Sequence, residues 1–159
     1  MQDGGCAGPG QARALIGMTS ELEQQMAFTD AETAYLGGQQ LGRLATIQLD
    51  GSPQVKPVGF HVNAGLGTID VTGFNLTSSQ KFRNVRRNGQ AALVVDDIAS
   101  TDPWRVRFLE IRGTAEALED GAGGGPLIRI YPSRILSFGV EEPPGEPHQT
   151  RLHSRDLVS

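Results

Sequence analysis

The chain has 159 residues, 38% of them hydrophobic, and a formal net charge of −4, which suits one domain with a genuine core. The mildly acidic balance argues against non-specific nucleic-acid binding. Cys6 is the lone cysteine, which excludes an internal disulfide, and no apolar run approaches the length of about 18 residues that a membrane helix needs.

Residues 1–18, opening "MQDGGCAGPG", are expected to form a disordered leader ahead of one domain over 19–159. They lack a charged n-region and an apolar h-region, so a cytoplasmic protein is expected. "TSELEQQMAFTDAETAYLGG" offers two helical stretches, with Thr29 and Glu32 spaced as a capping box and Gly37-Gly38 as a stop. From Leu41 the period becomes that of strands. "LGRLATIQL" and "PQVKPVGFHV" flank Asp50-Gly51, a strong hairpin signal, and "GTIDVTG" makes a third strand.

A helix is predicted over 78–88, with Ser78 or Ser79 as N-cap and Gly89 just past its end. "AALVVDD" has strand length, and Asp96-Asp97 reads as turn chemistry at its close. In "WRVRFLEIRGTAEAL" the alternation slips between Phe108 and Leu109, which predicts a bulge or a strand that changes face. "LIRIYPSRILSFGV" supplies one or two strands around Pro132, and the tail "EEPPGEPHQTRLHSRDLVS" starts as a linker and ends as a possible last strand. Six or so strands, mostly hairpin-connected, with short helices describe a mainly β, α+β protein built on a small antiparallel barrel.

The chain carries twelve arginines but only two lysines, Lys56 and Lys81. In "GFNLTSSQKFRNVRRNG", Phe82 and Val85 form a narrow apolar stripe, and Arg86 and Arg87 fall where the helix dipole favours cations. Lys81 falls in the first turn, where a cation is disfavoured unless an anion sits there. In "QVKPVGFHV", Lys56, Val58 and Phe60 point to one side of a strand, a cation beside an apolar floor. Pro57 requires an edge or a bulge, and Gly59 suits close approach of a ligand to backbone. Two readings follow: a solvated charged helix face, or a grip on a planar ring that carries a phosphate. His61 alternates away from Lys56 and reads as structural. No GxSxG, P-loop, HExxH or cysteine–histidine spacing occurs, so neither a hydrolase nor a metal site is expected.

The order of "GRLATIQLDGSPQVKPVGF", "SSQKFRNVRRNGQAALVVDD", "DPWRVRFLEIRGTAEAL", "PSRILSFGV" and "HSRDL", over about residues 28–158, resembles the pyridoxamine 5′-phosphate oxidase-like split barrel. It is most similar to the branch that uses the deazaflavin coenzyme F420, and within it to reductases of tetracycline-type polyketide biosynthesis. The resemblance implies a six-stranded antiparallel split β-barrel, a homodimer with cofactor sites at the subunit interface, and hydride transfer from reduced F420 to an electron-poor C=C or C=O of a small organic substrate. FMN is the alternative cofactor. The alternative functions are an FMN-dependent oxidoreductase and a non-catalytic flavin- or haem-binding protein of the same fold.

By the same resemblance, Lys56 reaches the cofactor's phosphate-bearing tail, with Pro57, Val58 and Phe60 beneath the ring. Ser79 and Lys81 match an S-x-K phosphate motif, with Ser78 and Asn84 as neighbours, and Thr72 and Gly73 lend backbone contacts. Trp104 and Arg107 match positions that approach from the partner subunit. No catalytic side chain is implied. Gln80 stands where the oxidases often place a second cation, and Phe108 falls near a position that is polar in oxidases and small in deazaflavin relatives. The chain also lacks the oxidases' usual C-terminal substrate-binding extension, so vitamin B6 oxidation is not expected.

Overall fold

The computed structural model describes residues 27–121, 123–141 and 150–157. The expected leader and the first of the two helical stretches lie outside them. The described chain begins with helix α1 (Asp30–Gly37). Its capping box is complete: Thr29 Oγ1 accepts from the Glu32 amide at 3.2 Å, and the Thr29 amide donates to Glu32 Oε2 at 3.0 Å.

Strands β1 (Leu41–Ile47) and β2 (Pro53–Asn63) follow as the hairpin expected at Asp50-Gly51, where Gly51 takes φ +83°. Next come β3 (Thr68–Thr72), a 3₁₀ turn (Leu76–Ser78) and helix α2 (Gln80–Asn88). Long strands β4 (Gln90–Thr101), β5 (Trp104–Leu118) and β6 (Leu127–Phe138) complete the wall, and β7 (Leu152–Asp156) is the expected last strand. The seven-stranded sheet has the order β3-β2-β1-β4-β5-β6-β7, and an additional β3–β6 pairing closes the first six strands into a ring. The fold is therefore the six-stranded antiparallel barrel expected, with β7 added outside on β6.

One detail corrects the sequence reading, and two decide between alternatives that it left open. No register shift falls at Phe108/Leu109; the shifts lie at Ile98/Ser100 and Arg112/Gly113. The slip in alternation arises because the apolar residues change face: Val106 and Phe108 point outward, while Leu109 and Ile111 are fully buried. Asp96-Asp97 is not a turn, because β4 continues to Thr101. Both carboxylates face arginines, Asp96 with Arg43 at 3.6 Å and Asp97 with Arg107 at 2.6 Å. Cross-strand charge pairing accounts for two acids in mid-strand. Around Pro132 there is one strand, one of the two expected outcomes, bulged between the pairs Arg112–Arg134 and Gly113–Pro132.

The core fills the ring with Leu44, Ile69, Val71, Leu93, Leu109, Ile111, Ile128, Ile130 and Ile135. Each helix plugs one end. Tyr35 and Leu36 of α1 are buried there, as are Phe82 and Val85 of α2, the stripe expected from their spacing. Arg155 of β7 ties the strand to α1, donating to Glu32 Oε1 at 2.6 Å, to Glu32 Oε2 and to the Ala27 carbonyl at 2.8 Å. No helix among the described residues is long and apolar enough to cross a membrane.

Candidate functional site

Lys56 lies at a gap in the barrel wall. Strand β3 stops where Thr72 pairs with Gly59, so β2 from Pro53 to Val58 has β1 on one side and no described strand on the other. Pro57, which cannot donate to a ladder, sits on this half-paired stretch. Lys56, Val58 and Phe60 share the inward face, as their spacing predicts. They differ in burial. Val58 belongs to the core and Phe60 packs against it, while Lys56 is exposed at the gap. Pro57 faces outward. Val58 therefore meets the gap with its backbone only. A Cβ at Gly59 or at Gly73 would meet no atom within 4 Å, so the backbone where β3 leaves β2 borders open space.

From Thr72 the chain turns through Gly73 and the 3₁₀ turn into α2, whose first residue follows Gly73 by seven positions. Ser79 is the N-cap: its hydroxyl accepts from the Phe82 amide at 3.3 Å and donates to the Leu76 carbonyl at 2.6 Å. Ser78 is exposed, donates to the Asn75 carbonyl at 3.0 Å, and does not cap. Helix geometry leaves the N–H groups of Gln80 and Lys81 outside the intrahelical ladder. Lys81 stands one turn before Asn84 and Val85, both buried, so it lies on the docked side of α2 and is half-buried itself. Gly89 takes φ +66° and closes the helix.

The arginines behave differently from the lysines. Arg83 folds back onto the Ser78 carbonyl at 2.7 Å and Gln80 Oε1 at 2.9 Å. Arg86 pairs with Glu119 and stacks on Phe82, 5.1 Å from the ring centroid. Arg87 donates to the Ile47 carbonyl and to Asn84 Oδ1, both at 3.2 Å. The helix dipole is thus a minor part of what holds Arg86 and Arg87. By contrast, the side chains of Lys56 and Lys81 make no ion pair or hydrogen bond with another described residue, and neither does that of Arg105.

Asn84 and Arg107 are committed to protein partners. Asn84 is fully buried and its amide bonds Thr46, Gln80 and Arg87. Arg107 holds Asp97 through two hydrogen bonds, at 3.0 and 2.6 Å, with its guanidinium 5.1 Å from the Tyr35 ring centroid. That pairing keeps the Asp97 carboxyl below its ordinary value, while burial and then Asp97 push the Tyr35 phenol up. Trp104 is 58% exposed at the start of β5. Arg107 and Trp104 lie at the α1 end of the barrel, whereas Lys81, Ser78 and Ser79 lie at the α2 end. Within one chain they form no single cluster. The supporting groups Thr46, Gln39 and Tyr35 carried no signal in the sequence, because only register brings them to Asn84 and Asp97.

An open depression of about 400 Å³ lies on the outward face of the sheet, over Ala45, Ile47, Ala92, Arg112 and Gly113. None of the residues singled out from the sequence lines it. Its small side chains sit beside exposed apolar ones, Ile47 at 39% and Val55 at 59% exposure.

The donor set at the gap fits an anion carried by a larger ligand. Two ammonium groups without a partner among the described residues and a capped helix N-terminus supply positive potential, and the backbone at Gly59 and Gly73 is open. Comparison with known proteins identifies the family and agrees with the fold. Residues 28–154 match the family model described as pyridoxamine 5′-phosphate oxidase. The chain is 41% identical over 140 residues, 84% of its length and 96% of the relative's, to the 5a,11a-dehydrotetracycline/5a,11a-dehydrooxytetracycline reductase of Streptomyces rimosus. Among solved structures, a protein named F420 reductase superposes with a TM-score of 0.53 at 24% identity, covering 68% of this chain and 98% of the other. An FAD-binding protein from Mycobacterium smegmatis superposes with a TM-score of 0.52 at 20% identity, covering 69% and 93%. At those identities the two superpositions speak to the fold, whereas the sequence matches speak to descent. This chain belongs to the pyridoxamine 5′-phosphate oxidase family.

Proposed function

We propose that the protein is an oxidoreductase that reduces an electron-poor C=C or C=O of a small organic substrate, with coenzyme F420 held at the gap between β2 and α2. The observation that carries this reading is the contrast between the three arginines of α2, each bound to protein acceptors, and the chain's only two lysines, both without a side-chain partner among the described residues. The reductase relative at 41% identity supports the reaction class and favours a polyketide-type substrate.

When bound, the reduced deazaflavin supplies a hydride. Lys56 and Lys81 balance the phosphate of its tail, and the N–H groups of Gln80 and Lys81, with the Ser79 cap, fix that phosphate's position. Backbone at Thr72 and Gly73 borders the linker between phosphate and ring. The protein's contribution is orientation and exclusion of water rather than covalent chemistry. No side chain in the gap is placed as an obligate acid, so the proton is delivered by solvent or by a substrate hydroxyl.

A homodimer belongs to the same reading. The exposed apolar residues Ile47, Val55, Ile98 and Trp104 line the outward face of β1, β2, β4 and β5, and a second copy on that face would bring its Trp104 towards the lysine gap, with Arg107 at the neighbouring barrel end. Titration of the purified protein with F420 and with FMN, followed by absorbance and fluorescence, tests the cofactor. Micromolar binding of FMN with none of F420 would overturn the deazaflavin assignment. Tight binding with no substrate-dependent oxidation of reduced cofactor would favour a carrier of the same fold.

A further inference from the structure

The family resemblance makes Asn84 a neighbour of the phosphate motif, and the structure shows which partners its side chain holds. It is fully buried between α2 and the barrel. Its Nδ2 donates to Thr46 Oγ1 on β1 at 3.0 Å. Its Oδ1 accepts from Gln80 Nε2 at 2.8 Å and from Arg87 Nη2 at 3.2 Å. Gln80 opens the first turn of α2, and Arg87 stands in the last, so one buried amide ties both ends of the helix to a single strand residue. Arg87 and Asn88 add hydrogen bonds to the Ile47 carbonyl, at 3.2 and 3.0 Å.

The apolar contacts of Phe82 and Val85 hold α2 against the barrel but are non-directional, and tolerate small rotations and slides. Hydrogen bonds weaken steeply with misalignment, so a buried polar contact selects one register. Thr46 pairs across the strands with Gln54, two residues from Lys56 on the same face. The contact therefore sits one strand away from the second lysine.

We propose that the Asn84–Thr46 hydrogen bond is a register pin that sets the first turn of α2, and with it Lys81, relative to Lys56. Asn84 and Thr46 are positioning residues for the anion site, acting through the lysines without touching the ligand. This rests on the reading of the gap as a phosphate site.

The test compares binding of two probes, coenzyme F420 and its phosphate-free deazaflavin riboside, by the wild type and by Lys81→Ala, Thr46→Val, Thr46→Ser and Arg87→Ala. Thr46→Val keeps the shape of the side chain and removes the acceptor. It is expected to weaken F420 binding about tenfold, the scale of a lost buried hydrogen bond, and to leave the riboside within twofold. Thr46→Ser keeps the hydroxyl and should restore F420 binding. Arg87→Ala, at an exposed position that leaves no cavity, should show a smaller loss with the same selectivity, and it serves if Thr46→Val fails to fold. Equal losses for both probes would make the pin merely structural and overturn the inference. So would unchanged F420 binding in Thr46→Val where Lys81→Ala loses it. If Lys81→Ala itself does not discriminate between the probes, the phosphate reading fails first and the pin falls with it.

Discussion

Lys81 is the residue on which sequence and structure bear most directly. A cation in the first turn of a helix opposes the macrodipole, and that conflict was visible in "SSQKF" alone. What the sequence did not show is that the neighbouring arginines are occupied, Arg83 by Ser78 and Gln80, Arg86 by Glu119, Arg87 by Ile47 and Asn84. The cluster therefore divides by partner rather than by position along the helix. Lys81→Ala is expected to weaken F420 binding by about 1–3 kcal/mol, the range for a hydrogen bond to a charged group. Arg86→Ala should leave binding within about twofold, since an exposed ion pair contributes little. Calorimetric titration of both variants checks this, and equal losses would mean that a diffuse positive field does the binding.

At the scale of elements, two strands show how close approach and charge set register. Gly113 lies where β5 passes the bulge of β6, and a Cβ there would stand 1.8 Å from the Tyr131 carbonyl oxygen. Backbone has to move to admit any side chain. Gly113→Ala is expected to destabilise the protein by about 1–3 kcal/mol or more, as overpacking does, read as a lowered midpoint in urea. The glycine was legible in the sequence, but its reason was not, because the oxygen it must clear belongs to another strand.

Strand β3 closes the ring through Asp70, which Arg129 of β6 grips with two hydrogen bonds of 2.7 Å while Asn63 adds one at 3.2 Å. Burial raises the Asp70 pKa, but the hydrogen bonds from Arg129 and Asn63 outweigh it and leave the value below that of a free aspartate. A depressed folded-state pKa stabilises the fold above the unfolded value near ~3.9, and this contribution is lost as pH falls through the lower folded value. Thermal melting should therefore be insensitive to Asp70 protonation from neutral pH down to about 5 and fall below about 4. An Asp70→Asn variant is expected to lose stability at neutral pH and to show a shallower acid dependence. An unchanged acid profile would mean that other carboxylates govern it.

For the whole molecule, the outward face of the sheet is the feature a single chain leaves uncovered. Val55, Ile98 and Trp104 are each more than half exposed there, beside the shallow depression over Ala45 and Ala92. If that face joins two copies, Val55→Glu places a charge opposite Ala45 in the buried centre and should shift the protein from dimer to monomer in light scattering. A wild type that is monomeric at micromolar concentration would remove Trp104 and Arg107 from the cofactor site, because within one chain they lie at the other end of the barrel from Lys81.

The sequence by itself determined the local elements: the capping box at Thr29, the hairpin at Asp50-Gly51, the Ser79-to-Gly89 helix and the shared face of Lys56 and Phe60. These depend on neighbours within a few residues, where dihedral preference and periodicity act directly. The same residues also carried the family resemblance that the comparisons bear out. Only the tertiary structure decided where β3 stops against β2, which side chains neutralise the arginines, and that Asn84 faces Thr46 rather than the gap. Several of those contacts join residues 33 to 40 positions apart, and ring closure sets them, because it fixes which strand edge and which helix face lie side by side.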